Sequence, residues 1–210
     1  MEVKIPVGSG IVLEGSLEIP KGARAIVVFA HGSGSSRFSP RNNFVAKTLR
    51  ENGFGTLLFD LLTEKEDEIY ENRFNISLIA ERLKVATLWL MKLPEAKKLS
   101  LGYFGASTGS AAALIAASEP ELRKKISAVV SRGGRPDLAM DALPEVQSTT
   151  LLIVGGNDFG VIELNESALA ALQCEKKLAI VPGATHLFEE PGALEEVAKL
   201  AAEWFKKHLG

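Results

Sequence analysis

The residues with the clearest chemical potential are Gly105, Ser107 and Gly109, which are spaced as G-x-S-x-G. They fall where the apolar segment 99–104 gives way to the alanine-rich segment 110–118, so the pattern predicts a strand, a sharp turn and a helix. Such a turn strains the serine backbone and exposes its hydroxyl, and the flanking glycines leave room for the neighbouring chain. Ser107 is therefore the candidate nucleophile, and a chance turn of small residues is the alternative.

A serine hydroxyl is a poor nucleophile until a base removes its proton, and the chain has three histidines. His208 lies in the C-terminal tail and is interpreted as a solvated helix end. His31 begins a loop of small residues after the apolar segment 25–30. His186 follows the apolar segment 177–181 and a turn, and it is the predicted base. A loop histidine that caps the last helix is the alternative for His186.

Asp158 is the candidate acid that would hold the tautomer of His186 and stabilise its charged form. It lies in the loop after the apolar segment 150–154, at the carboxyl end of a predicted strand. The order along the chain is then serine, aspartate, histidine, which differs from the orders in chymotrypsin and subtilisin. An N-cap or turn aspartate ahead of the predicted helix 162–172 is the alternative, and only the conjunction of the three residues favours catalysis.

The loop 31–36, with the sequence His-Gly-Ser-Gly-Ser-Ser, has backbone N–H groups that could stabilise a developing oxyanion. In acyl-transfer enzymes of this type one donor is the residue after the nucleophile, here Thr108, and the other comes from such a loop. Ser33 is predicted to be that second donor. A phosphate cradle is the alternative, but the chain has neither G-x-x-x-x-G-K-[ST] nor a suitably placed G-x-G-x-x-G.

With these parts placed, the chain resembles the α/β-hydrolase superfamily, and more narrowly the small capless members grouped with dienelactone hydrolase. The resemblance covers nearly the whole chain and rests on the turn 105–109, the loop 31–36, Asp158 and His186. Dienelactone hydrolase itself is a cysteine enzyme at the nucleophile position, where this chain has Ser107. The chain is also similar, at 104–109 and 161–165, to hydrolase modules fused to phosphoribosyltransferases.

The function predicted from these residues is hydrolysis of small esters, thioesters or lactones through an acyl-enzyme. No cofactor and no metal is expected. Two alternatives remain open at this point. One is a non-catalytic module of the same fold that binds a small ligand or partner, since fold does not fix function. The other is an engineered hydrolase variant.

Composition and charge bound the remaining classes. The 210 residues are 46% hydrophobic, and 24 basic against 26 acidic side chains give a net charge of -2. We therefore expect one domain over residues 1–210, no attraction for nucleic acid, and an oligomeric state that the sequence leaves undefined. No signal-peptide pattern or membrane span is predicted, and the single Cys174 agrees with a reducing compartment, so a cytoplasmic location is expected.

Alternation of apolar and helical-period segments predicts an α/β fold with a mostly parallel twisted sheet, helices on both faces and no cap domain. The first two strands alternate in hydrophobicity and are joined by Gly-Ser-Gly, which favours an antiparallel N-terminal hairpin. Strands are predicted at 3–7, 11–19, 25–30, 55–60, 98–104, 126–131, 150–154 and 177–181. Helices are predicted at 41–52, 76–91, 110–118, 162–172 and 192–207.

Three residues near the carboxyl ends of strands are candidates for substrate binding. Arg132 and Arg135 leave the strand 126–131 on the side of the expected crevice, where one of them could bind an anionic group. The alternative is an exposed loop in which Asp137 caps a short helix. Phe159 stands beside Asp158 and is the third candidate. The acidic segment 64–71 is interpreted as a solvated loop or helix face, with a border of the site entrance as the alternative.

Overall fold

The computed structural model describes residues 1–210, and strands and helices alternate along most of the chain. The eight strands are β1 (Glu2–Gly8), β2 (Ile11–Glu18), β3 (Ala25–Ala30), β4 (Gly55–Phe59), β5 (Ser100–Ala106), β6 (Ile126–Arg132), β7 (Thr149–Gly155) and β8 (Lys176–Val181). The six α-helices are α1 (Pro40–Glu51), α2 (Glu64–Asp67), α3 (Ile76–Leu90), α4 (Thr108–Ser118), α5 (Phe159–Ala171) and α6 (Ala193–Leu209). Short 3₁₀ helices lie at Tyr70–Phe74, Pro136–Ala139 and Leu143–Glu145.

All eight strands form one sheet in the order β1-β2-β4-β3-β5-β6-β7-β8. β1 and β2 form an antiparallel hairpin, and β2 is also antiparallel to β4. Every pairing from β4 to β8 is parallel. The predicted fold is therefore confirmed, because the sheet is mostly parallel with an antiparallel N-terminal hairpin.

The central strands are apolar throughout because helices cover both faces of the sheet. All six residues of β3 are buried. On one face α3 and α4 pack in the larger apolar cluster, which includes Leu83 and Leu114. On the other face α1 and α6 pack in a second cluster, which includes Val45 and Val197. Helices on both faces were predicted from the sequence, and this is also confirmed.

The connections at the carboxyl ends of the parallel strands are short, and no cap domain covers them. Residues 133–148 between β6 and β7 hold only two 3₁₀ helices. The acidic segment forms α2 and the start of the following 3₁₀ helix, and no residue of α2 is buried. Thr63 and Glu66 begin α2 with a reciprocal capping box, in which each side chain accepts the backbone N–H of the other residue.

Two helices begin two or more residues earlier than the sequence pattern predicts. α4 begins at Thr108 instead of residue 110, because the helix follows Ser107 directly and small residues blur its period. α5 begins at Phe159 instead of residue 162, which makes Asp158 its N-cap residue. The Asp158 side chain makes no capping hydrogen bond, so its carboxylate is available for another partner.

Candidate active site

Ser107 lies on a strained turn between β5 and α4. Its backbone has φ 51° and ψ -123°, a conformation that residues other than glycine rarely adopt. The flanking glycines are sterically required: a Cβ at Gly105 would lie 2.5 Å from the Cα of Ser110, and one at Gly109 would lie 2.2 Å from the carbonyl oxygen of Ala30. The turn therefore packs the first residues of α4 tightly onto the end of β3.

His186 and Asp158 are brought together by two adjacent loops, which follow β8 and β7. The imidazole Nδ1 lies 2.7 Å from Asp158 Oδ2. Asn157 N–H donates to the carbonyl oxygen of Ala184 at 2.9 Å, and a Cβ at Gly155 would lie 2.4 Å from the same oxygen. The close packing of the loops fixes the pair, and a neutral imidazole that donates from Nδ1 leaves the lone pair of Nε2 free to accept a proton.

The His186 ring rests on the loop that also supports Ser107. Gly133 has φ +51°, and a Cβ there would lie 3.0 Å from the carbonyl oxygen and 3.6 Å from Cε1 of His186. On the other side, Ser107 N–H donates to the carbonyl oxygen of Arg132 at 3.2 Å. The carbonyl oxygen of Ser107 accepts from Arg135 N–H at 3.1 Å. The Ser107 hydroxyl makes no hydrogen bond within the protein.

His31 holds the loop 31–36 in place through both ring nitrogens. Leu61 N–H donates to Nε2 at 3.1 Å, so that nitrogen carries no proton, and Nδ1 donates to the carbonyl oxygen of Gly32 at 2.9 Å. Burial lowers the pKa of His31, against opposing effects of its hydrogen bond to Gly32 and of Asp60 and Asp67. His31 is therefore a neutral structural residue that joins this loop to the end of β4.

The two expected oxyanion donors lie next to each other, but one is already occupied. Ser33 N–H donates to Thr108 Oγ1 at 2.9 Å, a contact that the sequence does not predict. Thr108 is the first residue of α4, so its own N–H has no partner within the helix. Gly32 lies directly against Ser107, since a Cβ at Gly32 would be 3.1 Å from Ser107 Cβ.

The three predicted substrate-binding residues differ in their surroundings. Arg135 is paired with Asp137 by two hydrogen bonds of 2.9 and 2.8 Å. Phe159 is 71% exposed beside the Asp158 loop. Arg132 is 7% exposed, and the only hydrogen bond of its side chain runs from Nη2 to Asn42 Oδ1 at 3.4 Å. No carboxylate pairs with Arg132, whereas Asp137 pairs with Arg135.

The charge of Arg132 is poorly compensated. Burial and then the neighbouring Arg41 lower the pKa of Arg132 to about 10. Its Nε is buried without a partner, and the guanidinium lies 5.9 Å from the ring centroid of Phe188, two residues after His186. The sequence pattern does not indicate Arg41 and Asn42, which also lie here. They belong to α1, and their only sequence signal is their position just after the loop 31–36.

Two further findings concern metal ions and membranes. No group of three or more His, Cys, Asp or Glu side chains is arranged to hold a metal ion. None of the helices has both the length and the apolar character needed to cross a bilayer.

The sheet topology and the serine turn define this class of protein: the chain has an α/β-hydrolase fold. Residues 13–209 match the model of the dienelactone hydrolase family. The chain therefore belongs to the dienelactone hydrolase family, and membership supports a hydrolase.

Solved structures agree with this assignment. A dienelactone hydrolase from Anabaena variabilis is 56% identical and superposes with a TM-score of 0.96, over 100% of this chain and 98% of that one. Est1E from Butyrivibrio proteoclasticus superposes with a TM-score of 0.83 at 17% identity, over 98% of each chain, and shows the same fold.

Curated relatives differ in length from this chain. Two Mycobacterium tuberculosis proteins that carry the name phosphoribosyl transferase are 56% identical over 208 residues, which is 99% of this chain and 46% of theirs. The chain thus spans about half the length of the curated relatives it matches.

Proposed function

We propose that this chain is a serine hydrolase that cleaves small carboxylic esters, thioesters or lactones. The observation that carries the proposal is the 2.7 Å contact between His186 Nδ1 and Asp158 Oδ2. The strained turn of Ser107 follows another strand at the same, carboxyl edge of the parallel sheet. Asp158 orients the imidazole and stabilises its charged form, so that Nε2 acts as the base for Ser107. The family match supports hydrolysis, and the nucleophile and base are inferred from the residues.

The reaction proceeds in two acyl transfers. Ser107 Oγ attacks the substrate carbonyl carbon while its proton passes to His186 Nε2, and the carbonyl oxygen takes the negative charge. The bond to the leaving group then breaks, and His186 returns the proton to that group. Water attacks the acyl-enzyme, gives a proton to His186, and the acid departs as Ser107 recovers its proton.

The oxyanion formed in each step needs hydrogen-bond donors that are already in place. We assign one donor to Thr108 N–H, which is unpaired at the start of α4. The loop 31–36 contributes through the Ser33 N–H, which contacts Thr108 Oγ1 at 2.9 Å. Gly32 brings this loop against Ser107, since a Cβ at Gly32 would lie only 3.8 Å from Ser107 Oγ.

Arg132 is the best candidate to recognise an anionic group on the substrate, and Arg135 is not, because Asp137 already pairs with it. Buried charges are normally paired, so an arginine without a carboxylate favours an incoming one. We assign Phe159 to apolar contacts at the open edge of the site, where its ring is 71% exposed. The short connections around the site favour small or exposed substrates over long lipids.

Covalent labelling tests the proposed nucleophile. A fluorophosphonate should add to Ser107 of the folded protein at neutral pH, and peptide mass spectrometry should locate the adduct. The Ser107→Ala protein is the matched control and should remain unlabelled. Absence of an adduct on wild-type Ser107 overturns the proposal. A panel of p-nitrophenyl esters, thioesters and lactones then ranks the substrate classes.

Replacement of Arg132 tests the anionic subsite. In Arg132→Met, kcat/KM for an ester whose acyl group carries a carboxylate should fall about 10- to 100-fold, the range of a hydrogen bond to a charged group. A neutral ester of equal length should be unaffected. The control Arg135→Met should leave kcat/KM unchanged for both esters. If Arg132→Met lowers kcat/KM equally for the charged and the neutral ester, the anionic subsite is contradicted.

A second candidate function is suggested by the half-length match to proteins named phosphoribosyl transferases. We propose as this alternative a non-catalytic module that binds a small ligand or partner within a larger assembly. Equal residual turnover in the wild type and in His186→Ala would favour it.

For either function we propose a cytoplasmic location, because the free Cys174 agrees with a reducing compartment.

A further inference from the structure

We infer that the Thr108 hydroxyl is a catalytic residue that donates a hydrogen bond to the oxyanion. Its oxygen accepts a hydrogen bond from the Ser33 N–H, and this polarises the hydroxyl and strengthens it as a donor. This inference rests on the proposed function and refines its oxyanion site. Ser33 then acts on the reaction through Thr108, and does not itself contact the substrate oxygen.

The hydrogen bonding of Thr108 leaves one donor unused. Thr108 Oγ1 accepts from Ser33 N–H at 2.9 Å, and the hydroxyl proton donates to no acceptor within the protein. The residue is only 5% exposed. A hydroxyl has one donor and two acceptor positions, so a buried hydroxyl that only accepts retains a proton for an acceptor nearby.

The position of Thr108 directs that proton toward the reacting carbonyl. Thr108 follows Ser107 directly, and its backbone N–H is unpaired at the start of α4. Oγ1 and the backbone nitrogen of one threonine are separated by only two carbons, so a single acceptor can receive both. The oxyanion that binds the Thr108 N–H is therefore also within reach of the Thr108 hydroxyl.

Direct contact between Ser33 N–H and the oxyanion would require Thr108 to rotate away. A threonine side chain in the first turn of a helix has few allowed rotamers, and this one is buried. The loop side is no freer, because His31 fixes Gly32 and a Cβ at Gly32 would lie 3.1 Å from Ser107 Cβ. Retaining the contact also helps the reaction, since a hydroxyl that accepts a hydrogen bond becomes a stronger donor.

No covalent bond changes at Thr108 during the reaction. The hydroxyl proton stays on Oγ1 and the Ser33 proton stays on its nitrogen, while both hydrogen bonds shorten as charge develops on the carbonyl oxygen. When the tetrahedral intermediate collapses, the charge returns to the carbonyl and the two bonds relax. The contribution is thus electrostatic and larger in the transition state than in the ground state, so it should appear in kcat more than in KM.

Two conservative variants separate this role from a simple packing role. Thr108→Val removes the hydroxyl at nearly constant volume and frees the Ser33 N–H, and Thr108→Ser retains the hydroxyl. We expect kcat of Thr108→Val on a p-nitrophenyl ester to fall about 100-fold with little change in KM, as for the loss of one oxyanion donor. Thr108→Ser should recover most of that loss.

The same variants are read by a second reaction and against a matched control. The rate of fluorophosphonate labelling at Ser107 should fall in Thr108→Val in parallel with kcat, because the phosphoryl oxygen occupies the same position. In the control Thr48→Val, the lost hydroxyl donates only to the Phe44 carbonyl oxygen in α1, at 3.2 Å, so both rates should equal those of the wild type. Thermal unfolding of each variant shows whether it is folded.

The outcomes distinguish the inference from the function on which it rests. If folded Thr108→Val reacts as fast as the wild type, or faster because Ser33 N–H has become free, the catalytic role of the Thr108 hydroxyl is overturned and the serine mechanism stands. If Thr108→Ser is as slow as Thr108→Val, the hydroxyl is not the active group and its proposed role is also overturned. If the wild type neither hydrolyses esters nor is labelled at Ser107, the proposed function fails and the role of Thr108 fails with it.

Discussion

His31 and His186 both follow a strand of the parallel sheet at its carboxyl end, yet the structure uses them in opposite ways. His31 is 9% exposed and both ring nitrogens have backbone partners. His186 has a side chain that is 38% exposed, and only Nδ1 has a partner, the carboxylate of Asp158. Exposure and a free ring nitrogen are what a base needs to exchange protons with substrate and water.

The comparison indicates different tasks for the two loops in the proposed mechanism. The His31 loop would hold the hydrogen-bond donors in place, for which a neutral imidazole is sufficient. The His186 loop would accept and return a proton in every acyl transfer, so the second ring nitrogen of His186 has to stay open. A histidine after a strand is thus identified as a candidate base by what its two nitrogens contact, and the residue type alone does not identify it.

The largest expected effect is the loss of the base. His186→Ala should lower kcat by about 10⁶-fold, the size seen when a member of such a triad is removed. His31→Gln should cause a far smaller loss, because it weakens only the support of the loop 31–36. Steady-state kinetics on one p-nitrophenyl ester, with both variants shown to be folded by circular dichroism, makes the comparison. Similar losses in the two variants would remove the functional distinction between the histidines.

Loss of the orienting carboxylate should have the next largest effect. Asp158→Asn preserves shape but can present its amide to Nδ1 and select the wrong tautomer, so kcat should fall about 10⁴-fold. The matched control is Asp137→Asn, whose carboxylate pairs with Arg135 near the site without contacting a histidine. Activity of Asp158→Asn close to that of the control would show that His186 is positioned by the loop backbone alone.

The smallest expected effect concerns stability and pH. Burial lowers the pKa of His31 below its ordinary value of 6.5, so below pH 6.5 the unfolded chain binds a proton that the folded chain does not. The free energy of unfolding should therefore decrease as pH falls below 6.5, with a slope of up to about 1.4 kcal/mol per pH unit until the folded-state pKa is passed. His31→Gln lacks this titration.

Urea unfolding of the wild type and of His31→Gln at several pH values between 7.5 and 5 tests this pH dependence. Contributions of other titrating groups are common to both proteins and cancel in the difference. The stability of the wild type relative to the variant should be greatest at pH 7.5 and should diminish toward pH 5. A constant difference over this range would mean that His31 titrates alike in the folded and unfolded states.

Most of the fold could be predicted from the sequence because its signals are local. Continuous apolar segments such as β3 and alternating ones such as β2 reflect how many faces of the sheet are covered. The starts of α4 and α5 were placed too late, because the small residues around Ser107 and the turn at Asp158 lack a clear helical period. Helix α2 has its own start signal in the Thr63 and Glu66 pair, but the acidic composition of 64–71 is also typical of a solvated loop.

The candidate site was predictable as residue types at strand ends, but its contacts were not. Nothing in the sequence distinguishes Arg132 from Arg135 until the fold places Arg135 beside Asp137 and turns Arg132 toward α1. The Ser33 to Thr108 contact also escaped prediction, because it joins residues 75 apart and depends on one side-chain rotamer. Long-range side-chain contacts of this kind follow from packing, which no single segment encodes.

The pairing of β3 with β5 has a consequence for how this enzyme can diversify. These strands are hydrogen-bonded in register from Ala25 opposite Ser100 to Ala30 opposite Gly105, and each leads directly into one side of the proposed active site. A substitution that shifted one strand end would disturb the proposed nucleophile and oxyanion donors together, so tolerated variation should accumulate elsewhere. Directed evolution for new substrates should therefore randomise residues 135–145 and 159–162, and leave 31–36 and 105–109 unchanged.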